Sequence, residues 1–290
     1  MAKAIVFGAK GQLGVELSSE LTSRGYEVLT FPRGSLDITN AEAVEIAIAG
    51  AAPDFVYNAA AYNMVDVAEK EAATALQANA LGVRNIAMAC RQSDVKLVHF
   101  STDYVFDGTL GRPYVEEDVT HPLGAYAVSK LAGELFAQAY LDDPLIVRTS
   151  GVFGPGALRT ARGNFPEVMM RLAREGKPLR VVEDHVASPT YAPALATKVI
   201  ELAEGGHRGI FHVGGGEPVS WFAFAKMVLD AAGLQADLQP TDAREYRTAA
   251  RRPKYSALEN KRLATTGLAP MPPLAQTVAD YMESRKAYLT

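Results

Sequence analysis

The first half of the chain alternates short runs of apolar residues with longer segments in which apolar residues recur every third or fourth position. The short runs predict β-strands over residues 4–7, 27–31, 55–57, 96–100 and 145–148. The longer segments predict helices over residues 13–24, 41–49, 70–92 and 125–140. Strands covered on both faces of a parallel sheet read as continuous apolar runs, as Ile5-Val6-Phe7 does. The alternation therefore predicts an α/β fold with a Rossmann-like, doubly wound parallel sheet.

From about Gly151 the pattern changes to shorter elements that are separated by glycine and proline. Strands are predicted over residues 180–182 and 210–213, and helices over residues 164–175, 192–203 and 221–232. Residues 237–256 show little apolar periodicity. We therefore expect one domain over residues 1–150 and a smaller C-terminal α/β lobe over residues 151–290, with some later segments returning to the first domain.

Composition and charge exclude several classes of protein. The 290 residues carry 29 Lys and Arg against 33 Asp and Glu, so a net charge of -4 gives no electrostatic footprint for nucleic acid. No apolar stretch approaches the ~20 residues of a membrane span. Cys90 is the only cysteine, which excludes an intramolecular disulfide and favours the cytoplasm. The 5 histidines show no metal-ligand spacing, and a lone helical carboxylate, Glu16, is more often solvated than bound to magnesium.

A glycine-rich turn joins the first predicted strand to the first predicted helix. Gly8, Gly11 and Gly14 occupy it, with Gln12 and Leu13 between the last two. Glycine permits a tight turn, and without a Cβ it lets a pyrophosphate approach the N-terminus of the helix. The spacing differs from the usual G-x-G-x-x-G fingerprint, but its place between strand and helix predicts a dinucleotide-binding domain over residues 1–150.

The end of the second strand bears on which nicotinamide cofactor is bound. NAD is usually held there by an acidic residue, whereas an arginine suits the 2′-phosphate of NADP. Arg33 follows this strand and therefore favours NADP, although an ordinary surface arginine is the alternative. Asp37 follows and is predicted to lie near the adenine, or to cap the helix that begins near residue 41.

Small side chains follow the third strand, in Asn58-Ala-Ala-Ala-Tyr62. Ala59, Ala60, Ala61 and Tyr62 would leave room for a flat cofactor at the carboxyl edge of the sheet, although core packing would also explain the alanines. Asn79 lies in an otherwise apolar helix. Because a buried amide needs partners, we expect it to brace the backbone beside the cofactor, with a surface position as the alternative.

Tyr126 and Lys130 are four residues apart on one predicted helix and therefore share a face. An ammonium held near a phenol favours the phenolate and makes proton exchange easier. Thr102 ends the preceding strand at the carboxyl edge, where its hydroxyl can hydrogen-bond a substrate oxygen. The arrangement predicts a nicotinamide-dependent reductase in which Tyr126 protonates a carbonyl and Lys130 also reaches the nicotinamide ribose.

Motifs along nearly the whole chain extend this hypothesis. They are Gly11-Gln-Leu-Gly14, Asn58-Ala-Ala-Ala-Tyr62 with Val65-Asp66 and Ala68-Glu69, Ser101-Thr-Asp-Tyr-Val-Phe-Asp-Gly108, Ser129-Lys-Leu-Ala-Gly-Glu134, Arg148-Thr-Ser150, Gly163-Asn-Phe165, Ser188-Pro-Thr190, and Ala250-Arg-Arg-Pro253 with Ser256. The chain resembles the dTDP-4-dehydrorhamnose reductases, within the extended short-chain dehydrogenase/reductases. The resemblance implies reduction of the 4-keto group of a dTDP-4-keto-6-deoxyhexose to give dTDP-L-rhamnose, with NADPH or NADH.

By the same resemblance, Thr102, Tyr126 and Lys130 form the catalytic trio, and residues 151–290 form mainly a substrate-binding lobe. A homodimer is also compatible with the resemblance. The substrate-binding residues implied are Thr102, Asp103, Tyr104, Val105, Tyr126, Asn164, Arg251 and Arg252. The two arginines would hold the substrate's diphosphate through bidentate contacts, with an ordinary surface pair as the alternative.

The chain departs from the family pattern in three places. The family usually has tryptophan after Arg-Thr-Ser, as a wall of the sugar pocket, where this chain has Gly151. The segment Asp184-His-Val-Ala-Ser-Pro-Thr190 lacks the usual glutamine and glycine, and Ala127 stands where glycine is common. The first departure bears on the identity of the sugar. Trp221, which begins a predicted helix, is expected to anchor the core of the small lobe.

Two alternative functions remain open from the sequence. The first is another nucleotide-sugar ketoreductase, epimerase or dehydratase of the same superfamily, although Asp103-Tyr104 after Thr102 fits a reductase better. The second is a non-catalytic NADP-binding regulatory subunit with the same fold, such as the methionine adenosyltransferase beta subunit. The presence of both Tyr126 and Lys130 favours an enzyme.

Overall fold

The structure, a computed structural model, describes residues 1–160 and 163–288. In this part of the chain the strands are β1 (Lys3–Phe7), β2 (Glu27–Phe31), β3 (Phe55–Asn58), β4 (Lys96–Thr102), β5 (Leu145–Thr149), β6 (Leu179–Val182), β7 (Val186–Ala187), β8 (Gly209–His212), β9 (Val219–Ser220) and β10 (Leu238–Thr241). The α-helices are α1 (Gln12–Ser23), α2 (Ala41–Ala51), α3 (Val65–Ala68), α4 (Ala72–Leu76), α5 (Gly82–Gln92), α6 (Ala125–Tyr140), α7 (Phe165–Arg174), α8 (Ala192–Glu204), α9 (Trp221–Ala231) and α10 (Leu274–Ser284).

Six parallel strands form the main sheet, in the order β2-β1-β3-β4-β5-β8. The predicted doubly wound α/β fold is therefore confirmed. The chain leaves β1 toward β2 on one side and returns to β3 on the other, so the strand order reverses between β1 and β3. Loops that diverge at such a switch point leave a crevice at the carboxyl edge of the sheet, where ligands of open α/β proteins bind.

Alternate residues of the central strands face opposite layers of helices. Ala4 and Val6 of β1 pack in the core that includes α1 and α8, whereas Ile5 and Phe7 pack in the core that includes α2 and α5. All four side chains are fully buried. This two-sided burial explains why the strands read as continuous apolar runs, since neither face of the sheet meets water.

The second half of the chain contributes both to this sheet and to a smaller lobe. β8 pairs with β5, and α8 packs against α1. The small lobe contains α7, α9, α10 and the parallel pair β6–β10, around an aromatic core of Phe153, Phe224 and Tyr281. β10 and α10 were not predicted from the sequence. Only the first residue of β10, Leu238, is strongly apolar, so the strand gives no periodic signal.

The predicted helix over residues 70–92 is divided in the structure. A π-helical segment, Gln77–Leu81, separates α4 from α5. Helix α6 approaches this segment so closely that a Cβ on Gly133 would lie 2.2 Å from the carbonyl oxygen of Asn79. Because π-turns often occur at functional sites, the position of Asn79 is informative, and this residue lies beside the crevice described next.

Candidate active site

The turn between β1 and α1 can be built only with glycine at its key positions. Gly8 has φ of +74°, and a Cβ there would lie 2.5 Å from the backbone nitrogen of Ala60. A Cβ on Gly14 would lie 2.3 Å from the carbonyl oxygen of Gly8. Gly11 is the N-cap of α1 and has no capping side chain, so the first N–H groups of this helix remain available to an anion.

Two adjoining cavities form a long crevice along this turn. The outer cavity, of about 590 Å³, is lined by Gly8, Arg33, Asp37 and residues of α4 and the π-segment. The inner cavity, of about 300 Å³, is lined by Leu13, Thr102, Tyr126 and Lys130. Both cavities share Gly11, Ala59, Ala60, Ala61 and Asn63. Two chambers that meet at the glycine-rich turn between β1 and α1 fit the two halves of a dinucleotide.

Arg33 and Asp37 lie together at the outer end of the crevice. The Arg33 side chain is 83% exposed, and its Nε donates to Oδ2 of Asp37 at 3.3 Å. Asp37 Oδ1 accepts from the backbone N–H and the hydroxyl of Thr39, and the backbone bond chiefly lowers the pKa of Asp37. The cap of α2 is Asn40, so the alternative in which Asp37 caps that helix is wrong.

The floor of the crevice is braced by Asn79. Its Oδ1 accepts from the N–H of Tyr62 at 2.8 Å, while its Nδ2 donates to the carbonyl of Tyr62 and to Ser129 Oγ. Ser129 Oγ in turn donates to the carbonyl of Tyr126 at 2.7 Å. Both amide hydrogens of the buried Asn79 side chain are therefore used within the protein. This predicted cofactor residue acts on the crevice by fixing the backbone of Tyr62 and the start of α6.

Gln12 and Asn164 connect the glycine turn to the second half of the chain. Gln12 Nε2 donates to the carbonyl of Val152 at 2.9 Å, and Asn164 Nδ2 donates to Gln12 Oε1 at 3.1 Å. Asn164 also caps α7 through Oδ1, which accepts from Glu167 N. Gln12 was predicted to bind cofactor and Asn164 to bind substrate. In the structure their amides bond to each other and to protein groups, so both residues position the walls of the crevice.

Lys130 lies at the inner end of the crevice, one helical turn beyond Tyr126. Its side chain is buried, and Nζ donates to the carbonyl of Phe100 at 2.6 Å. Burial lowers the pKa of Lys130 to about 8, while the charge of Glu134 opposes the shift. The Tyr126 ring packs edge-on against Tyr104, with ring centroids 6.2 Å apart. A phenol and an ammonium with a lowered pKa thus border one small cavity.

Thr102 is oriented by a buried carboxylate. Its Oγ1 donates to Asp103 Oδ1 at 3.1 Å and accepts from the N–H of Tyr104. Asp103 Oδ2 accepts from Ser150 at 2.9 Å and from Ser256 at 2.5 Å. Burial raises the pKa of Asp103 to about 6 despite these three hydroxyl donors. Asp103, a predicted substrate contact, is therefore also the centre that holds the hydroxyl of Thr102 in place.

The sequence did not predict that Ser150 and Ser256 bond to Asp103. They lie 47 and 153 residues from Asp103, and no local pattern relates them to it. The available signal was indirect, since a buried carboxylate must be given hydrogen-bond donors from elsewhere in the fold. The residues Arg148-Thr-Ser150 and Ser256 were noted only as family motifs.

Arg252 lies beside Tyr104, with which its guanidinium interacts. Its guanidinium forms a two-point contact with Asp66, with nitrogen–oxygen distances of 2.7 and 3.0 Å. Burial raises the pKa of Tyr104 to about 12, and the Arg252 charge opposes that shift. Arg251 is exposed. Val105, a predicted substrate residue, is fully buried in a separate core cluster and lines neither chamber of the crevice.

Glu16 differs from the sequence expectation. Its side chain is only 8% exposed, so the expectation of a solvated carboxylate is wrong. Oε1 accepts from the N–H of Gly156 at 2.9 Å, and burial raises the pKa of the carboxyl. Glu16 thus fixes the 3₁₀ turn Pro155–Arg159 against α1. Among residues 1–160 and 163–288, no cluster of three or more His, Cys, Asp or Glu side chains is arranged to hold a metal ion.

Within the described residues, none of the helices has the length and apolar character that a membrane span requires. A larger cavity, of about 600 Å³, opens at the opposite end of the sheet, between the amino ends of β4 and β5. It contains none of the candidate catalytic, cofactor-binding or substrate-binding residues. The arrangement that can do chemistry is therefore the one at the carboxyl edge, where parallel strands present their loops.

Comparisons with known proteins cover almost the whole chain. Residues 2–286 match the family described as RmlD substrate binding domain. Spore coat polysaccharide biosynthesis protein SpsK of Bacillus subtilis strain 168 is 35% identical over 288 residues, which are 99% of each chain. A dTDP-4-dehydrorhamnose reductase of Mycobacterium tuberculosis strain CDC 1551 is 38% identical over 275 residues, covering 93% of this chain and 88% of the relative.

A solved structure is also similar to almost the whole chain. It is a dTDP-4-dehydrorhamnose reductase from Bacillus anthracis strain Ames in complex with NADP. It superposes with a TM-score of 0.93 at 35% identity, and the match covers 98% of this chain and 100% of that one. The likeness therefore includes the small lobe as well as the parallel sheet.

Proposed function

The chain belongs to the dTDP-4-dehydrorhamnose reductase family, and we propose that it uses NADPH to reduce the 4-keto group of a dTDP-4-keto-6-deoxyhexose. The substrate that fits best is dTDP-4-dehydrorhamnose, with dTDP-L-rhamnose as product. The observation that carries the proposal is the position of Tyr126, Lys130 and Thr102. They line the inner chamber of a crevice whose outer chamber fits the adenosine half of a dinucleotide.

The residues present fit the cofactor. The turn from Gly8 to Gly14 leaves no side chain between the crevice and the first N–H groups of α1, which suits a pyrophosphate. Arg33 and Lys10 are cations that line the outer chamber, and of these Arg33 follows the second strand, where an arginine suits a 2′-phosphate. Lys130, which lines the inner chamber, would hold the nicotinamide ribose. When bound, NADPH supplies the hydride that the carbonyl carbon receives.

The chain's own residues supply the proton. Tyr126 donates its phenolic proton to the carbonyl oxygen, so that carbon gains a hydride, oxygen gains a proton and the ketone becomes an alcohol. The Lys130 ammonium stabilises the phenolate that remains. Thr102 can turn its hydroxyl from Asp103 to the substrate oxygen, since Asp103 keeps the hydrogen bonds from Ser150 and Ser256.

The substrate's diphosphate is expected on the side of Arg252. A guanidinium binds phosphate oxygens through two parallel hydrogen bonds, and Asp66 now holds Arg252 in that same two-point geometry. Exposed Arg251 is the neighbouring cation. Tyr104 contacts both Arg252 and the Tyr126 ring, so the diphosphate and the reacting ketone would lie beside the same aromatic residue.

A coupled assay tests the proposal. dTDP-glucose is converted by the upstream dehydratase and epimerase, the protein and NADPH are added, and the product is identified by NMR. We expect NADPH oxidation and dTDP-L-rhamnose. An absence of turnover with a panel of dTDP-4-keto-6-deoxyhexoses would instead support the regulatory subunit.

The variant Tyr126→Phe tests the role of the phenol. General acid catalysis typically contributes about 10²–10⁴-fold, so kcat should fall on that scale while the Kd for NADPH stays unchanged. Tyr140→Phe, at the far end of the same helix, is the matched control and should keep full turnover. Full turnover by Tyr126→Phe would remove this residue from the mechanism.

Three statements stay predictions from the sequence. They are a cytoplasmic location, a homodimer, and the division into a dinucleotide-binding domain over residues 1–150 and a mainly substrate-binding lobe over residues 151–290. Cys90 is buried and burial raises the pKa of its thiol to about 12, which agrees with a structural residue in a reducing compartment.

A further inference from the structure

Gly151 leaves a gap in the wall of the inner cavity. It lines that cavity together with Thr102, Tyr126 and Lys130, and its φ of +51° lies in the left-handed region. A Cβ at this position would lie 3.2 Å from Cη2 of Trp221. The indole edge is therefore the side chain nearest to the position that residue 151 leaves empty.

One side of the Trp221 ring packs against aromatic residues of the small lobe. Its ring packs against Phe165, with centroids 4.8 Å apart and an interplanar angle of 60°, and more loosely against Phe224. Its backbone N–H donates to the carbonyl of His185 at 3.1 Å, and Ser220 caps the helix that Trp221 begins. The side chain remains partly exposed. The expectation that Trp221 packs in the small lobe is thus correct for one side of the ring only.

We propose that Trp221 forms the apolar wall against which the hexose ring of the nucleotide sugar lies, and that it helps to determine sugar specificity. The proposal rests on the proposed function and adds a residue from a different element, α9, to the site. Glycine at position 151 makes this possible, because any side chain there would meet the indole edge. Aromatic surface suits the C–H face of a pyranose and its C6 methyl group.

The intrinsic fluorescence of Trp221 provides a direct test, because it is the only tryptophan in the chain. The wild-type protein, saturated with NADP⁺, is titrated with dTDP-L-rhamnose and, separately, with dTDP. We expect the rhamnosyl nucleotide to change the emission more than dTDP does, since only the former places a sugar on the indole. Equal changes with both ligands, or no change with either, would overturn the proposal.

Kinetics of two variants give a second readout. One aromatic wall lost from a pocket is expected to raise KM for the nucleotide sugar about tenfold in Trp221→Ala, with the Kd for NADPH unchanged. Trp221→Phe keeps an aromatic surface and should recover part of that loss. The control is Phe222→Leu, since Phe222 is the next residue and packs in the cluster of Met169, Val181 and Ala225.

The outcomes separate this inference from the proposed function. If the wild-type protein reduces no dTDP-4-keto-6-deoxyhexose, the proposed function fails, whereas the fluorescence titration still reports on Trp221. If the wild-type protein is active and Trp221→Ala keeps its KM, or Phe222→Leu raises KM equally, only the role of Trp221 is overturned. Thermal unfolding of each variant shows that the comparison is made between folded proteins.

Discussion

The two sides of the crevice are built in different ways. The cofactor side consists mainly of backbone and small residues, and Gly8 lies so close to the backbone of Ala60 that no side chain fits at position 8. The substrate side depends on side chains that are distant in sequence: Ser256 and Asp103 are 153 residues apart, and Arg252 and Asp66 are 186 apart. A backbone-built site tolerates little variation, whereas a site built from distant side chains can exchange one wall for another.

The largest expected effect in this comparison concerns the backbone of the turn. Gly8→Ala should weaken NADPH binding by at least about tenfold, because its Cβ would displace the turn and each charge-assisted hydrogen bond to a phosphate is worth about 1.5–3 kcal/mol. The measurement is the Kd for NADPH by fluorescence or calorimetry. KM for the nucleotide sugar should change much less.

Gly25→Ala is the matched control for this variant. Gly25 also has a positive φ, of +83°, but a Cβ there would meet nothing within 4 Å. Both variants therefore carry the conformational cost of about 1–2 kcal/mol for alanine in a left-handed conformation, while only Gly8→Ala meets the backbone of Ala60. Equal Kd values for the two variants would show that the close approach at Gly8 does not shape the site.

A smaller effect is expected on the substrate side. Arg252→Ala should raise KM for the nucleotide sugar about tenfold, as expected for the loss of a charged hydrogen-bond donor to a diphosphate, and leave the Kd for NADPH unchanged. Arg251→Ala tests the neighbouring cation, which is exposed and should contribute less because solvent screens it. A raised Kd for NADPH in Arg252→Ala would contradict the assignment of Arg252 to the substrate side alone.

The same difference explains how much of the fold could be predicted. The four central strands of the main sheet, β1, β3, β4 and β5, were found because both of their faces are buried, so local composition alone identifies them. The break between α4 and α5 was not found, since residues on both sides of Gln77–Leu81 have a helical pattern. What the sequence does not show is the approach of α6 at Gly133 and the bonds from Asn79 to Tyr62, which depend on the assembled fold.

The candidate site likewise contains residues that local sequence patterns predict and residues that they do not. The glycine turn and the Tyr126–Lys130 pair are local patterns, so their positions followed from the sequence. The hydroxyl donors to Asp103 and the indole beside Gly151 come from segments that no local pattern connects to them. Glu16 is a local pattern that misled the prediction. Its place on a helix predicted a solvated carboxylate, but the turn at Gly156 covers it in the folded protein.

The smallest expected effect on binding concerns Arg33, and it compares a side-chain contact with the backbone-built turn on the cofactor side. Here a side chain, and not the backbone, is proposed to contact the cofactor, at the 2′-phosphate that distinguishes NADPH from NADH. The Arg33 side chain is 83% exposed and forms an ion pair with Asp37. Solvent screening and this ion pair therefore limit what Arg33 contributes to cofactor binding. We expect Arg33→Ala to raise the Kd for NADPH about three- to fivefold and to leave the Kd for NADH unchanged. Equal changes for both cofactors would reject a 2′-phosphate contact and leave the discrimination to the backbone-built part of the crevice.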